Sequence, residues 1–543
     1  MKIELEKQNQ HFLVILLFCL GAFFANNNFL PADLMESRNL ATAQEMIHTG
    51  NYMVPTMNGN YRMEKPPLPT WVATCIESCQ PNNLSAQRVA TGVVATLMVF
   101  FVYLLCLEIT GNRQIGFISS IVLATSYNVM MMARNATWDI YCHSFMVIGI
   151  YFFVCSMKRQ GNQWWRFILA GLFWGLSFMS KGPVSFYTIL LPFLISYIFI
   201  YRPKIKGKTL PVVSMIMVCL IVSFWWYAYI YAFHKDAILY ALSKESGAWV
   251  EHNVRPWFYY WKFPAEAGIW ALFWITSLIW AFRQKKYFLG KRYLFFLLWT
   301  ITSLVLLSLM PEKKSRYLLP LLIPGALNIG SYIYYCIKGR LSLREELVFR
   351  INAGLIYLIL IAAPAGLYFT FCKKGYLGIG LFAFISVCSL LLAWAIYRTA
   401  LRRKKLKVLP AFYSIAGVML LVSVLCFIPA GKMFINEDRH SIAEIRNDQR
   451  LKQYPFYYVN GEEMRMELVY ESDKIIRPLT INDPRKIKPA VPFVLLSEKP
   501  AGSIFRGCNY KIEQIGVYDN NWRKKDSKRY NKSLVRYVSL IRM

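Results

Sequence analysis

Long apolar runs separated by short polar loops make up most of the first 430 residues. Runs of about 20 apolar residues are long enough to cross a bilayer. Hydropathy predicts thirteen such spans, near residues 11–28, 86–108, 114–131, 138–157, 164–180, 183–201, 210–233, 266–282, 291–309, 317–337, 352–372, 378–399 and 409–429. The first run is followed by no convincing A-x-A cleavage site, so we read it as an uncleaved span. The pattern predicts an all-α polytopic membrane protein.

Three longer polar segments interrupt or follow the spans: loop 1 (residues 27–86), loop 2 (residues 234–265) and the tail (residues 430–543). The tail contains the strand-like runs YPFYYV and AVPFVLLSE and a candidate helix over residues 442–453, which together predict a soluble α/β domain. Loop 1 contains a candidate helix over residues 36–49, ended by Gly50. We expect this helix to lie on the membrane surface or to cap the helical bundle. The predicted domains are residues 1–429, a membrane domain that includes both loops, and residues 430–543.

The distribution of positive charge predicts the orientation in the membrane. The chain carries a net charge of +32 although only 17% of its residues are charged. Lys and Arg collect in alternate short loops such as YRPKIKGK and YRTALRRKKLK, which the positive-inside rule places in the cytoplasm. The N-terminus is then cytoplasmic, and thirteen spans place the tail outside. The membrane accounts for most of the charge, so we expect membrane lipids and no nucleic acid as partners.

Ionisable residues gather at the predicted outer ends of the spans, where they are costly and usually functional. They are Asp33, Glu36, Glu64, Lys65, Arg134, Asp139, Lys181, Glu245, His252, Arg255, Lys313, Lys314 and Arg316. Structural explanations exist for several of them. The cations near residue 314 could simply snorkel, Asp139 could cap a helix beside Thr137, and His252 could be structural. Their concentration on one face favours a shared site.

The stretch YRMEKPPLPTW, Tyr61 to Trp71, places an acid and a base directly before two prolines. Pro66 biases Lys65 toward an extended conformation. A cation held on a stiff segment loses little entropy on binding, which suits a lipid phosphate. A plain loop-to-helix junction explains the prolines equally well, but it does not explain the Glu-Lys pair.

Several motifs in order resemble the aminoarabinose transferases of lipid A, the ArnT-like family. This family belongs to the GT-C superfamily with the protein O-mannosyltransferases. The motifs are Glu36-Ser-Arg38, Gly50-Asn-Tyr-Met-Val-Pro55, Glu64-Lys-Pro-Pro67, TWDIYC, SFMSKGP and PEKKSRYLLP. They lie between about residues 11 and 340, and the thirteen-span layout with an external tail fits the whole chain.

The resemblance implies an inverting glycosyltransferase of the bacterial inner membrane with a periplasmic tail. Its donor would be a sugar on undecaprenyl phosphate, such as 4-amino-4-deoxy-L-arabinose, and its acceptor lipid A. By the same resemblance, the catalytic candidates are Asp33, Glu36 and Asp139. The candidates for substrate binding are Arg38, Tyr61, Lys65, Lys181, Arg255, Lys313 and Arg316. A divalent ion, held by Glu64 and His252, is the only cofactor implied, although two protein ligands make a poor site.

One departure from the family pattern leaves the acceptor open. Members commonly carry Asp-Glu before x-Arg, whereas Met35 precedes Glu36 here. A phosphate acceptor is already ionised and needs no base, while a hydroxyl acceptor would need Asp33 or Asp139 as the base. The first alternative is therefore the same donor chemistry on protein or another glycan. The second is a lipid-sugar flippase, which mid-span charges would favour; such charges are nearly absent.

Overall fold

The computed structural model describes residues 2–161, 163–283, 290–402, 406–481 and 491–543. The chain divides into two compact units. The bundle unit comprises Met1–Asn27, Glu64–Leu68 and Arg88–Pro429. The sheet unit comprises Asn28–Met63, Pro69–Gln87 and Ala430–Met543. Most of loop 1 thus belongs to the sheet unit, and the proposed division into domains at residue 429 stays a prediction.

The bundle unit is built of apolar helices, which confirms a multi-pass helical membrane protein. Eight helices within the described residues are long and apolar enough to cross a membrane: Leu84–Thr110, Trp138–Lys158, Thr209–Phe233, Lys291–Leu309, Ser315–Lys338, Leu343–Cys372, Ile379–Leu401 and Val408–Phe434. A bent pair, Trp257–Glu266 and Gly268–Trp280, could form one more span. Shorter or less apolar helices cover Asn9–Phe24, Arg113–Ala124, Trp164–Lys181 and Phe186–Tyr201.

Two spans form the centre of the bundle unit. Ser315–Lys338 is 89% buried and Trp138–Lys158 is 83% buried over their apolar windows. In contrast, Leu343–Cys372 is only 11% buried and exposes leucine and isoleucine side chains. Because lipid is as apolar as these side chains, such exposure marks a helix at the lipid boundary. The first turns of the two central spans are therefore held by protein on most sides.

Glycines allow the helices around these first turns to approach closely. A Cβ atom on Gly149 would lie 2.4 Å from the Trp174 ring, where Trp138–Lys158 packs on Trp164–Lys181. A Cβ atom on Gly171 would lie 2.2 Å from the carbonyl oxygen of Met215 in the next helix. Small residues at such positions are the usual means of tight helix packing in membranes. The Gly149–Trp174 contact sets the distance between Trp138–Lys158, which carries Asp139, and Trp164–Lys181, which carries Lys181.

The sheet unit contains a short hairpin and one five-stranded mixed sheet. The strands are β1 (Thr56–Met57), β2 (Asn60–Tyr61), β3 (Phe456–Val459), β4 (Ile476–Leu479), β5 (Phe493–Ser497), β6 (Lys511–Asp519) and β7 (Val535–Arg542). The order β4-β3-β5-β7-β6 is parallel across β4, β3 and β5 and antiparallel across β7. Helices of this unit are Leu34–Thr49, Leu68–Cys79, Met466–Ser472 and Ala501–Ile504. The predicted C-terminal α/β domain is confirmed, with β3 and β5 at the predicted runs.

One local expectation differs from the structure, and one agrees with it. The helix expected over residues 442–453 is only a 3-10 helix, Ile442–Asn447, because Asp448 turns the chain by accepting a hydrogen bond from the Arg450 amide (2.9 Å). The loop 1 helix exists as Leu34–Thr49 and ends at Gly50 with φ +68°. Ten of its sixteen residues are buried, and it packs against Met466–Ser472 of the same unit. Its place on the membrane surface or over the bundle stays a prediction.

Candidate active site

A buried ion pair joins two helices of the bundle unit. Asp139 lies in the first turn of Trp138–Lys158, and Lys181 is the last residue of Trp164–Lys181. The Lys181 ammonium donates a hydrogen bond to the Asp139 carboxylate, and the two residues are 7% and 1% exposed. Buried charges persist only when they are paired. The N-cap position belongs to Thr137, so the alternative in which Asp139 caps this helix is wrong.

Local sequence explains where these two side chains lie. Gly182 follows Lys181 with φ +75°, a backbone conformation that favours glycine, and Pro183 prevents the helix from continuing. Asp139 stands where the partial positive charge of a helix N-terminus favours a carboxylate, and Lys181 stands where a helix C-terminus favours a cation. The pair therefore forms where both helix ends stabilise it.

Two further cations act on this pair. Arg316 lies within electrostatic range of both Asp139 and Lys181, and Lys65 acts on Lys181. The structure thus brings together four of the predicted site residues: Asp139, Lys181, Arg316 and Lys65. Lys65 is itself paired with Glu245, so three cations face two carboxylates, and the one positive charge in excess suits an anionic ligand such as a phosphate.

Tyr317 is a site residue that the sequence analysis missed. Its ring lies 4.7 Å from the Lys181 ammonium, 5.6 Å from that of Lys314 and 6.0 Å from the Arg316 guanidinium. Its hydroxyl donates a hydrogen bond of 3.3 Å to Glu312. An aromatic ring attracts cations over its face. The signal in the sequence is its position directly after Arg316 in PEKKSRY, where an aromatic ring stands beside three cations.

Loop 2 is joined to the PEKKSRY segment by main-chain hydrogen bonds. The Arg255 amide donates to the Pro311 carbonyl (3.3 Å), and the Lys313 amide donates to the Asn253 carbonyl (3.2 Å). These two hydrogen bonds pair Val254 with Glu312 in an antiparallel bridge, and Arg255 follows directly. The Lys313 side chain is used differently: Lys313 is 4% exposed and its ammonium donates to the Met310 carbonyl at the end of Lys291–Leu309. Between Lys313 and Arg316, it is Arg316 whose charge acts on Asp139.

The Glu-Lys pair of loop 1 is matched by a Lys-Glu pair of loop 2. The Lys65 ammonium bonds to the Glu245 carboxylate, and the Lys244 ammonium donates a 2.9 Å hydrogen bond to Glu64. Both partners belong to the helix Lys235–Glu251. Glu64 and Lys65 are therefore each paired with an oppositely charged residue of this helix, Glu64 with Lys244 and Lys65 with Glu245.

Glu64 and His252 contact different partners. The Glu64 carboxylate accepts from Lys244, while Nδ1 of His252 lies 3.7 Å from a carboxylate oxygen of Glu312. Among the described residues there is no group of three or more His, Cys, Asp and Glu side chains that could hold a metal ion. A cation bound to Glu64 also opposes a metal there. A divalent ion at this position stays a prediction.

The remaining site candidates belong to the sheet unit. Asp33 is the N-cap of Leu34–Thr49: its carboxylate accepts from the amides of Met35 (2.7 Å) and Glu36 (2.9 Å). The Glu36 carboxylate accepts in turn from the Asp33 amide (3.2 Å), which completes a capping box. The Arg38 guanidinium lies 3.9 Å from the Met35 sulfur, and Tyr61, in β2, is 57% exposed. Asp33 and Glu36 thus have a structural role at the start of this helix.

Comparisons with known proteins agree with this architecture. A family model described as dolichyl-phosphate-mannose-protein mannosyltransferase matches residues 64–227. An undecaprenyl phosphate-alpha-4-amino-4-deoxy-L-arabinose arabinosyl transferase of Pseudomonas fluorescens is 26% identical, with 59% of each chain covered. An uncharacterised protein of Aquifex aeolicus is 24% identical over 76% of this chain and 78% of its own length.

The same fold occurs in a solved structure. ArnT from Cupriavidus metallidurans, bound to undecaprenyl phosphate, aligns with a TM-score of 0.67 at 14% identity, covering 99% of this chain and 97% of that one. Its apo state aligns with a TM-score of 0.70 at 16% identity, covering 97% of both chains. At these identities the likeness shows a shared fold, and it extends over nearly the whole of both chains.

Proposed function

Because the chain is an ArnT-like glycosyltransferase of the GT-C type, related to protein O-mannosyltransferases, we propose that it moves a sugar from undecaprenyl phosphate to lipid A. The sugar is 4-amino-4-deoxy-L-arabinose or a close relative, as in the relatives' names. The observation that carries the proposal is the buried Asp139–Lys181 pair with Arg316 and Lys65 acting on it. This arrangement provides cations for phosphates and one carboxylate beside them.

The chemistry follows from the charge that the reaction develops. The bond between the anomeric carbon and the donor phosphate oxygen breaks, and undecaprenyl phosphate leaves with the electron pair. The acceptor oxygen attacks the opposite face of the same carbon, so the configuration inverts. Lys65, Lys181 and Arg316 stabilise the negative charge that grows on the leaving phosphate. Asp139 keeps Lys181 charged and oriented in its buried position.

A phosphate group of lipid A fits the acceptor role without a general base. Such an oxygen is ionised at neutral pH and can attack directly. Asp33 and Glu36 are engaged in a capping box, which fits a reaction that does not depend on them. A hydroxyl acceptor on protein or another glycan would instead need a base. Among the acids proposed from the sequence, Asp139 would then be the candidate within the cation cluster.

We also propose the membrane topology of the sequence analysis: thirteen spans, a cytoplasmic N-terminus and a periplasmic tail in the bacterial inner membrane. In support, eight of the predicted spans coincide with the eight long apolar helices, and residues 266–282 coincide with the second part of the bent pair. Three of the other four lie on shorter or less apolar helices, and residues 114–131 lie on two helices, Arg113–Ala124 and Tyr127–Met132. The domain division is residues 1–429 and 430–543. Cysteine labelling of intact cells tests the topology: a single cysteine at Lys528 should react with an impermeant reagent, and one at Lys206 should not.

A purified-component assay tests the proposed activity. The full chain in detergent is mixed with undecaprenyl-phosphate-linked aminoarabinose and lipid A, and products are resolved by thin-layer chromatography. We expect glycosylated lipid A and free undecaprenyl phosphate, and no product from Asp139→Ala. Glycosylated protein in place of lipid A, when both acceptors are offered, would favour the hydroxyl acceptor. Movement of the intact donor across vesicles without any transfer would contradict the enzyme and favour a flippase.

A further inference from the structure

Two adjacent residues of loop 1 and two adjacent residues of loop 2 form crossed ion pairs. Lys65 bonds to Glu245 and Glu64 bonds to Lys244, so an acid–base dipeptide faces a base–acid dipeptide. The two pairs differ in burial. The side chains of Lys65 and Glu245 are 20% and 26% exposed, whereas Lys244 is 59% exposed. The less exposed pair is therefore the one that contains the proposed phosphate-binding lysine.

A carboxylate and a phosphate oxygen satisfy an ammonium group in the same way. Both accept charge-assisted hydrogen bonds of similar length from Lys. A cation that is largely removed from water must have an anionic partner at all times, because an unpaired buried charge is costly. Lys65 therefore needs an anion both before and after a substrate phosphate binds. Glu245 supplies that anion in the structure described here.

We propose that Glu245 holds the place of the donor phosphate on Lys65 and is exchanged for it when the polyprenyl phosphate binds. This inference rests on the proposed role of Lys65 in binding the donor. Glu245 is then a positioning residue: it acts on the substrate only through Lys65, whose ammonium it occupies until the phosphate displaces it.

The backbone on either side indicates which partner moves in the exchange. Lys65 precedes Pro66 and Pro67, which restrict its backbone. Glu245 lies on Lys235–Glu251, where Ile238 and Ala241 are the only buried residues between positions 235 and 247, and polar and apolar side chains alike are otherwise partly or fully exposed. A sparsely packed helix opens at lower free-energy cost than a proline-stiffened segment. The exchange therefore displaces Glu245 while Lys65 stays in place.

Binding of undecaprenyl phosphate itself to the detergent-purified full chain tests this exchange. Glu245→Gln removes the competing charge and keeps the side-chain size, so we expect Kd for undecaprenyl phosphate to fall about three- to tenfold. Glu245→Asp should keep the wild-type Kd to within about twofold. Lys244→Gln is the matched control, since it breaks the neighbouring ion pair on the same helix and leaves Glu245 on Lys65. It should also keep Kd to within about twofold.

A double variant separates this inference from the proposed function. In the Lys65→Gln background, Glu245→Gln should no longer change Kd, because the lysine through which it acts is gone. A weaker Kd for Glu245→Gln alone, or equal tightening by Lys244→Gln, would overturn the exchange and leave a purely structural pair. Unchanged binding by Lys65→Gln alone would instead remove Lys65 from the donor site, which contradicts the proposed function at that residue.

Discussion

Lys181 donates a hydrogen bond to Asp139, and the side chains of both residues are almost fully removed from solvent, at 6% and 2% exposed. The pair links the C-terminal residue of one helix to the first turn of another. Arg316 at the start of Ser315–Lys338 acts on the same carboxylate. A buried charged pair therefore lies at the centre of the proposed site.

Breaking this pair on one side should abolish transfer and destabilise the protein. Asp139→Asn leaves a buried lysine without its anion, and Lys181→Met leaves a buried carboxylate without its cation; each should cost about 3–5 kcal/mol. The double variant Asp139→Asn with Lys181→Met should be more stable than either single variant and still inactive. Thermal unfolding in detergent and the transfer assay measure both effects.

A second ion pair of the bundle unit provides the control for that experiment. Glu346 and Arg350 lie one turn apart on Leu343–Cys372, a helix that carries none of the site residues. Glu346→Gln should cost no more than about 1 kcal/mol and keep wild-type transfer. Wild-type transfer by Asp139→Asn would remove Asp139 from the site.

Substitutions of Arg316 and Lys313 should have clearly different effects on the transfer rate. Arg316→Met removes a cation that acts on Asp139 and Lys181, so we expect transfer to fall by about a hundredfold, the scale for loss of one transition-state charge contact. Lys313→Met loses a hydrogen bond to the Met310 carbonyl, which should cost about 1 kcal/mol of stability and change transfer less than threefold. Rates measured at saturating donor decide between them. A larger loss of transfer in Lys313→Met than in Arg316→Met would contradict the assignment.

Asp33 can be tested as a helix cap and as a base by two substitutions. Asn caps a helix as well as Asp does, whereas Ala cannot accept the amide hydrogen bonds of Met35 and Glu36. With a phosphate acceptor, Asp33→Asn should keep transfer and stability, and Asp33→Ala should lose about 1 kcal/mol of stability. Hydrogen exchange over residues 34–49 reports the cap. Loss of transfer in both variants, with the cap intact in Asp33→Asn, would identify Asp33 as a base.

The contact between His48 and Asp473 should make the loop 1 helix pH-sensitive. The hydrogen bond of 2.8 Å to Asp473 raises the pKa of His48 above its usual value, with Glu45 adding to this effect and burial and Lys474 opposing it. A histidine whose pKa is raised on folding stabilises the folded state, and this contribution is complete at pH values below the pKa of the unfolded chain. The contribution is lost as the pH rises through the pKa of the folded protein. His48→Gln should therefore loosen residues 34–49 more near about pH 5 than near about pH 9.

Hydrogen exchange corrected for intrinsic rates measures this difference at the two pH values. Because the His48 side chain is 47% exposed, the whole effect should stay below about 1 kcal/mol. Asp473→Asn is the matched variant and should remove the same pH dependence. An equal loss of protection by His48→Gln at both pH values would show a contact that does not depend on the histidine charge.

Hydropathy predicted the helices because each span is a local property of about 20 residues. The ends of Leu34–Thr49 were also predictable, since Gly50 stops it and the Asp33-x-x-Glu36 spacing is a capping box. The same two acids also fit a catalytic pair, so the spacing alone does not distinguish a cap from a catalytic group. The 3-10 helix at Ile442–Asn447 shows the opposite case, where helix-compatible residues are overridden by the turn at Asp448.

Partners far apart in the chain could not be predicted. Lys65 and Glu245 are 180 residues apart, and no local pattern links them. Burial of the loop 1 helix depends in the same way on Met466–Ser472, which follows more than 400 residues later. The place of Tyr317 in the site could not be predicted either, because it depends on Lys181, far away in the sequence, facing its ring. Sequence patterns thus predicted which residues gather near the span ends, whereas the pairs they form depend on the tertiary fold.

The most direct measurement is the mass of lipid A from cells that carry the wild-type chain, no chain, or the Asp139→Ala chain at equal membrane abundance. We expect a sugar-sized mass on lipid A with the wild type and not in the strains with no chain or with Asp139→Ala, and the mass difference identifies the sugar. The Glu346→Gln chain should give the wild-type spectrum. Identical lipid A in all four strains would contradict lipid A as the acceptor.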